Sequence, residues 1–197
     1  MIIKALSLFL VILFLCIISF INPLKTNNIF LIFTLIVYLF VVFEFTLLGR
    51  EGSNSELILL PFNSYCRLLS VRWFGWGEYI FLADVGNVLL FVPCGMMVSN
   101  WLPYRHKYIL SGLLGLIFSV AIELTQFKLM IGSFETDDII NNTWGSIIGC
   151  CCATVLINKD KNLRNNLIVL LPLVCYLILL IVFCSFPIAK EWIVYRN

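Results

Sequence analysis

The chain has 197 residues, 61% of them hydrophobic and only 12% charged, with a formal net charge of +2 and a mean hydropathy of +1.03. Soluble domains carry about a quarter charged residues, so this composition excludes a chain that covers itself with a water-facing surface. The small net charge, spread thinly over several loops, also excludes the concentrated cationic patch that nucleic-acid binding requires.

Crossing roughly 30 Å of hydrocarbon takes about 20 helical residues. The apolar runs predict spans over about Ala5–Ile21, Ile29–Leu48, Tyr79–Trp101, Tyr108–Phe127, Asp138–Ile157 and Leu167–Phe186. Lipid-facing barrel strands would alternate apolar and polar positions, whereas these runs are continuously apolar. The expected fold is therefore an all-α, polytopic membrane helix bundle of about six transmembrane helices. It divides into two N-terminal helices (1–49), a central membrane domain (60–157), and a basic loop, last helix and tail (158–197). Lys4 precedes the first run, but no small-x-small cleavage site precedes Asn22-Pro23, so that run is read as a helix and not as a signal peptide.

Between the second and third spans lies the one long connection, about Gly49 to Glu78, whose Arg50, Glu51, Glu56, Arg67, Arg72 and Glu78 balance to zero. Its Pro61-Phe62 pair, Trp73, Trp76 and Tyr79 suggest a segment lying at the membrane interface. In the third span, Pro93 removes a helical hydrogen bond and Gly95 adds freedom beside it, which predicts a kink and a cavity next to it. Lys and Arg in short loops set orientation. Arg105 and Lys107, then Lys159, Lys161 and Arg164, together with Lys25, mark the cytoplasmic side, so the acidic turn before the fifth span faces outward.

The eight cysteines form no CxxC pair. Cys150, Cys151 and Cys152 are consecutive and point in three directions on a helix, so they are read as packing residues with no metal site. His106, the single histidine, sits in a basic turn as a solvated residue. No cofactor is expected, and oligomeric state is not legible.

Polarity inside the apolar spans stands out. Asp84 and Asn87 lie in the third span, Glu123 and Gln126 in the fourth, and Asp137, Asp138, Asn141 and Asn142 at the start of the fifth. A carboxylate at the bilayer centre costs at least about 2.5 kcal/mol, so such groups face the bundle interior or water. Asp138, Asn142, Gly145 and Gly149 fall within an arc of about 60° on a helix. Gly112, Gly115, Ser119, Glu123 and Gln126 form a comparable stripe on the fourth span, and the two spans are expected to touch along these faces. Thr136 or Asp137 is placed to cap the first amides of the fifth span. Two readings stand side by side: a structural polar seam between helices, or a site built from it.

The order Asn87-x-x-Leu90-Phe91-x-Pro93-x-Gly95, then Glu123-x-x-Gln126, then Asp137-Asp138-x-x-x-Asn142-Thr143-x-Gly145 resembles the VanZ-like family of bacterial membrane proteins. The likeness covers about Leu60 to Leu156 and includes Pro61-Phe62 as the Pro-Phe element ahead of the Asn-containing helix. The chain departs from many members in having no arginine shortly before the acidic pair, where it reads Ile131-Gly132-Ser133. The resemblance implies a bacterial plasma-membrane protein, with low-level resistance to glycopeptides such as teicoplanin as the activity of the family's namesake. The expected ligand-binding residues are Asp84, Asn87, Glu123, Gln126, Asp138 and Asn142. Pro61, Phe62, Pro93, Gly95, Gly145 and Gly149 are the structural motif. On one reading the cluster binds the head group of an envelope lipid, a cell-wall precursor or a lipoglycopeptide. On the other, the protein is a small membrane enzyme acting on an envelope substrate, with Glu123, Asp137 and Asp138 as candidate acid–base residues.

Overall fold

The computed structural model describes residues 10–11, 13–14, 28–48, 55–65, 76–99, 101–103 and 105–157. The predicted first span is thus described at four helical positions only. The predicted last span, the basic loop Lys159–Arg164 and Trp73 lie outside the described residues.

Four α-helices carry the described fold: α1 (Asn28–Phe43), α2 (Trp76–Val98), α3 (Lys107–Lys128) and α4 (Thr136–Ile157). Their ends fall within a few residues of the second to fifth predicted spans. Of the described helices, α3 alone is long and apolar enough to cross a membrane by itself. The fold is mostly helical, as expected. α1 runs into a π-helical turn, Glu44–Leu48, in which the Thr46 hydroxyl donates back to the Val42 carbonyl at 2.7 Å.

α4 is the central element, gripped by α2 on one side and α3 on the other. The α2–α4 contact is made backbone to backbone. A Cβ on Gly145 or Gly149 would overlap the carbonyls of Val88 and Val92, and one on Gly95 would overlap the carbonyl of Ser146. Gly95 is therefore required for close approach, a role in addition to the freedom expected of it beside Pro93. The stripe that was expected to meet the fourth span is divided: Asn142 meets Ser119 on α3 as expected, whereas Asp138, Gly145 and Gly149 face α2.

α3 meets α4 one residue further round. Ser111 Oγ donates to the Ser146 carbonyl at 3.0 Å, and Ser146 Oγ returns a bond to the Ser111 carbonyl at 2.9 Å. Gly112 packs under Ile147 and Gly115 under the Ser146 side chain. Phe91, Met96, Met97, Ile122 and Ala153 fill the core between the three helices, and the Phe91 and Phe118 rings pack at 5.5 Å. α1 joins through Tyr38, whose hydroxyl donates to the Leu90 carbonyl at 3.0 Å.

Residues 55–65 cross to the turn between α3 and α4. Two-residue strands β1 (Leu57–Ile58) and β2 (Phe134–Glu135) pair in parallel, with Leu57 opposite Phe134 and Ile58 opposite Glu135. This small β element is an addition to the expected all-α fold. Phe62 follows in the left-handed region at φ 59°, a conformation that costs about 1–3 kcal/mol for a bulky residue unless its surroundings hold it.

Candidate functional site

The site is built around the first two turns of α4. Asp137, 4% exposed, turns its carboxylate away from its own helix and onto the strap 61–65. It accepts the backbone N–H of Phe62, the backbone N–H of Ser64 at 2.8 Å and the Ser64 hydroxyl at 2.6 Å. That corrects the expected role of Asp137 as a cap of its own helix. The carboxylate instead fixes the strained Phe62, whose ring packs with Tyr65 against Ile140 and Trp144.

α2 supplies the opposite wall. Asp84 and Asn87 are one turn apart on the face toward α4. Asp84 Oδ1 receives Asn141 Nδ2 at 3.1 Å and lies 3.2 Å from Ser64 Oγ. Asn87 Nδ2 donates to Asp138 Oδ1 at 2.5 Å. Tyr65 closes the ring by donating its hydroxyl to Asn141 Oδ1 at 3.0 Å.

α3 brings the third side. Glu123, 1% exposed, accepts the Glu135 backbone N–H at 3.0 Å and so ties the turn to the helix that precedes it. Asn142 Nδ2 donates to Ser119 Oγ at 2.8 Å. Gln126 points elsewhere in part: its Nε2 donates to the carbonyl of Thr46 at the π-helical turn, at 3.0 Å. The structure therefore gathers Asp84, Asn87, Asp137 and Asp138 in one cluster, turns Glu123 of α3 to the strand before α4, sets Asn142 against α3, and uses Gln126 to anchor α1.

Among the described residues three buried polar atoms have no hydrogen-bond partner: Asp84 Oδ2, Asn142 Oδ1 and Ser55 Oγ. Two of them belong to residues expected to bind a ligand. The Asn142 amide oxygen is an acceptor only, and Asp84 Oδ2 is one when its carboxyl is ionised, so a group that meets either in that state must donate a hydrogen bond or carry positive charge. Among the described residues no group of three or more His, Cys, Asp or Glu side chains is arranged to hold a metal ion. Cys94, Cys150 and Cys151 are buried free thiols and Cys152 is half-buried, consistent with packing roles.

Ser64, Tyr65, Asn141 and Ser119 complete the site although the sequence reading did not assign them to it. Asn141 was visible as part of the polar start of the fifth span. Ser64 and Tyr65 directly follow Pro61-Phe62, and that adjacency was the available signal.

A helical bundle with a strap-covered ring of acids and amides at one end of its central helix defines a class of polar-cored helical protein. The family model VanZ/LLP1 matches residues 29–157, and the chain belongs to this family. The match begins at the start of the second span, further N-terminal than the motifs alone reach, in keeping with the docking of Tyr38 on α2. No curated protein and no solved structure matches the chain.

Proposed function

We propose that the chain is a multi-pass protein of the bacterial plasma membrane that binds the head group of a lipid-linked or lipid-tailed envelope ligand. On this reading it contributes to resistance against glycopeptides such as teicoplanin. The observation that carries the reading is an inverted distribution of polarity. Phe33, Phe40, Ile109 and Ile117 are 62–66% exposed, whereas Ser111, Ser119, Glu123, Gln126, Asn141 and Ser146 are at most 1% exposed. Contiguous apolar surface of this kind is costly in water and favourable in lipid, and intramembrane acids and amides turned inward are the usual mark of a functional site.

An apolar groove of about 260 Å³ supports a ligand with a hydrocarbon part. It runs between the end of α1 and α3, lined by Leu39, Val42, Phe43, Leu47, Phe118 and Ile122. Thr46 lies on its wall and joins it to Gln126, one turn along α3 from Glu123. The basic loops at Arg105 and at Lys159 to Arg164 orient the acidic turn outward, where envelope ligands are met.

The test is the susceptibility of a sensitive bacterium expressing the chain, compared with equally abundant Glu123→Gln, Asp138→Asn and Asn142→Ala variants. Selective protection against teicoplanin relative to vancomycin, lost in the variants, is the expected result. Unchanged susceptibility with the protein present in the membrane removes the resistance role.

A further inference from the structure

Ser64, Asp84 and Asp137 leave a charge imbalance that no cationic side chain among the described residues settles. Ser64 Oγ lies 2.6 Å from Asp137 Oδ2 and 3.2 Å from Asp84 Oδ1. A hydroxyl has one proton and cannot serve two carboxylates at once. The shorter contact takes it, so when both carboxylates are ionised two oxygen atoms face each other through their lone pairs on the Asp84 side. Asp84 is 3% exposed, its Oδ2 has no partner, and the one amide hydrogen it receives comes from Asn141.

The titratable groups facing Asp84 add to the imbalance. Asp137 on α4 and Glu135 on β2 both bear on it with like charge. Among the described residues no lysine or arginine forms an ion pair with Asp84 or Asp137. Two buried carboxylates around one hydroxyl are compensated either by a proton on one of them or by a bound cation, because an unpaired buried charge costs several kcal/mol.

We propose that a single hard cation, an alkali or alkaline-earth ion, binds at the Asp84 carboxylate with Ser64 Oγ as a second ligand. Asp137 holds Ser64 in place and supplies the second negative charge. All-oxygen donors select hard cations, which complete their coordination with water. Asp84 and Asp137 are 3% and 4% exposed, an enclosure too tight for a head group. This site is therefore separate from the ligand reading above and stands without it. Two carboxylates and a hydroxyl fall short of a dedicated cage, so the ion is weakly held, with a Kd of order millimolar.

The experiment is thermal unfolding of the purified full chain in detergent, with NaCl, KCl, MgCl₂ or CaCl₂ against choline chloride at equal ionic strength and no other ligand. One of the four cations is expected to raise the midpoint saturably, by about 5–10 °C at a hundredfold excess over its Kd. Asp84→Asn is expected to abolish that rise. Ser64→Ala, which keeps both carboxylates, is expected to weaken the apparent affinity about tenfold and serves as the readout if Asp84→Asn does not fold. The proposal is overturned if no cation exceeds choline, if Asp84→Asn keeps the full rise, or if Ser64→Ala leaves the affinity unchanged. Stabilisation by acid in choline alone, with no cation effect, also overturns it, because a proton then holds the place. None of these outcomes bears on glycopeptide susceptibility.

Discussion

Asn87 donates its side-chain amide to the Asp138 carboxylate at 2.5 Å, and this bond sets the register of α2 against α4. The next residue on α2, Val88, lays its carbonyl against Gly145, and Val92 repeats the contact one turn on at Gly149. A polar lock at one end and glycine contacts along the length thus position the same pair of helices. The acids of the site are carried on two helices that approach backbone to backbone.

That arrangement makes the two classes of glycine behave oppositely. Gly145→Ala and Gly149→Ala push a methyl group into a carbonyl that belongs to a packed helix and has nowhere to move. Each is expected to cost about 3 kcal/mol or more, or to prevent accumulation in the membrane. Gly86→Ala, where no atom lies within 4 Å of the added carbon, is expected to be neutral or to stabilise by about 0.5–1 kcal/mol through helix propensity. Thermal unfolding in detergent, alongside membrane abundance, separates the two.

Asp137 is expected to matter for the strap more than for its own helix. Asp137→Ala strands two buried N–H groups and the Ser64 hydroxyl, at about 1–3 kcal/mol each when unsatisfied, and frees Phe62 from its left-handed conformation. A loss of at least about 3 kcal/mol is predicted, together with new protease cleavage within residues 55–65. Asp137→Asn keeps one acceptor oxygen and is expected to lose roughly half as much. Equal behaviour of the two variants would mean that the carboxylate does not organise the strap.

The sequence disclosed the helices well and their partners less well. Continuous apolar runs marked α3 as Tyr108–Phe127 against an observed Lys107–Lys128, and α4 as Asp138–Ile157 against Thr136–Ile157. Periodicity shows which residues share a face but not which neighbour that face meets, and so Gly145 and Gly149 were assigned to α3 when they meet α2. The acids and amides were visible because polar groups in apolar runs are costly. Ser64 and Tyr65 escaped notice because a loop has no period, and their partners lie 73 and 76 residues away. The pairing of Leu57 with Phe134 was equally hidden, since a two-residue strand is too short to show alternation.

The Asn87–Asp138 bond itself is open to a double-mutant cycle. Asn87→Ala and Asp138→Ala each remove one partner of a part-buried, charge-assisted contact, and the pair is expected to be coupled by about 1–3 kcal/mol. Additive losses would mean that the register is set by the glycines alone. If the cluster also binds the envelope ligand, Asn87→Ala at permissive temperature lowers protection in proportion to its loss of stability, whereas Asn142→Ala lowers protection by more than its loss of stability. Asn142 carries a buried acceptor that no described group meets, whereas the Asn87 amide is committed to Asp138.

Ser111 and Ser146 give the opposite expectation. Each hydroxyl reaches the other residue's backbone carbonyl, at 3.0 and 2.9 Å, and the two hydroxyl oxygens are themselves 3.0 Å apart. Each has one proton, and with both protons directed at carbonyls the contact between the hydroxyls carries no hydrogen bond. Interhelical hydrogen bonds in membrane proteins average about 0.6 kcal/mol and reach about 1.7. Ser111→Ala and Ser146→Ala should each cost an amount in this range, and the double variant should lose the sum within about 0.5 kcal/mol. A coupling above about 1 kcal/mol would place one proton between the hydroxyls, leaving a single hydroxyl-to-carbonyl bond to join α3 and α4 at this level.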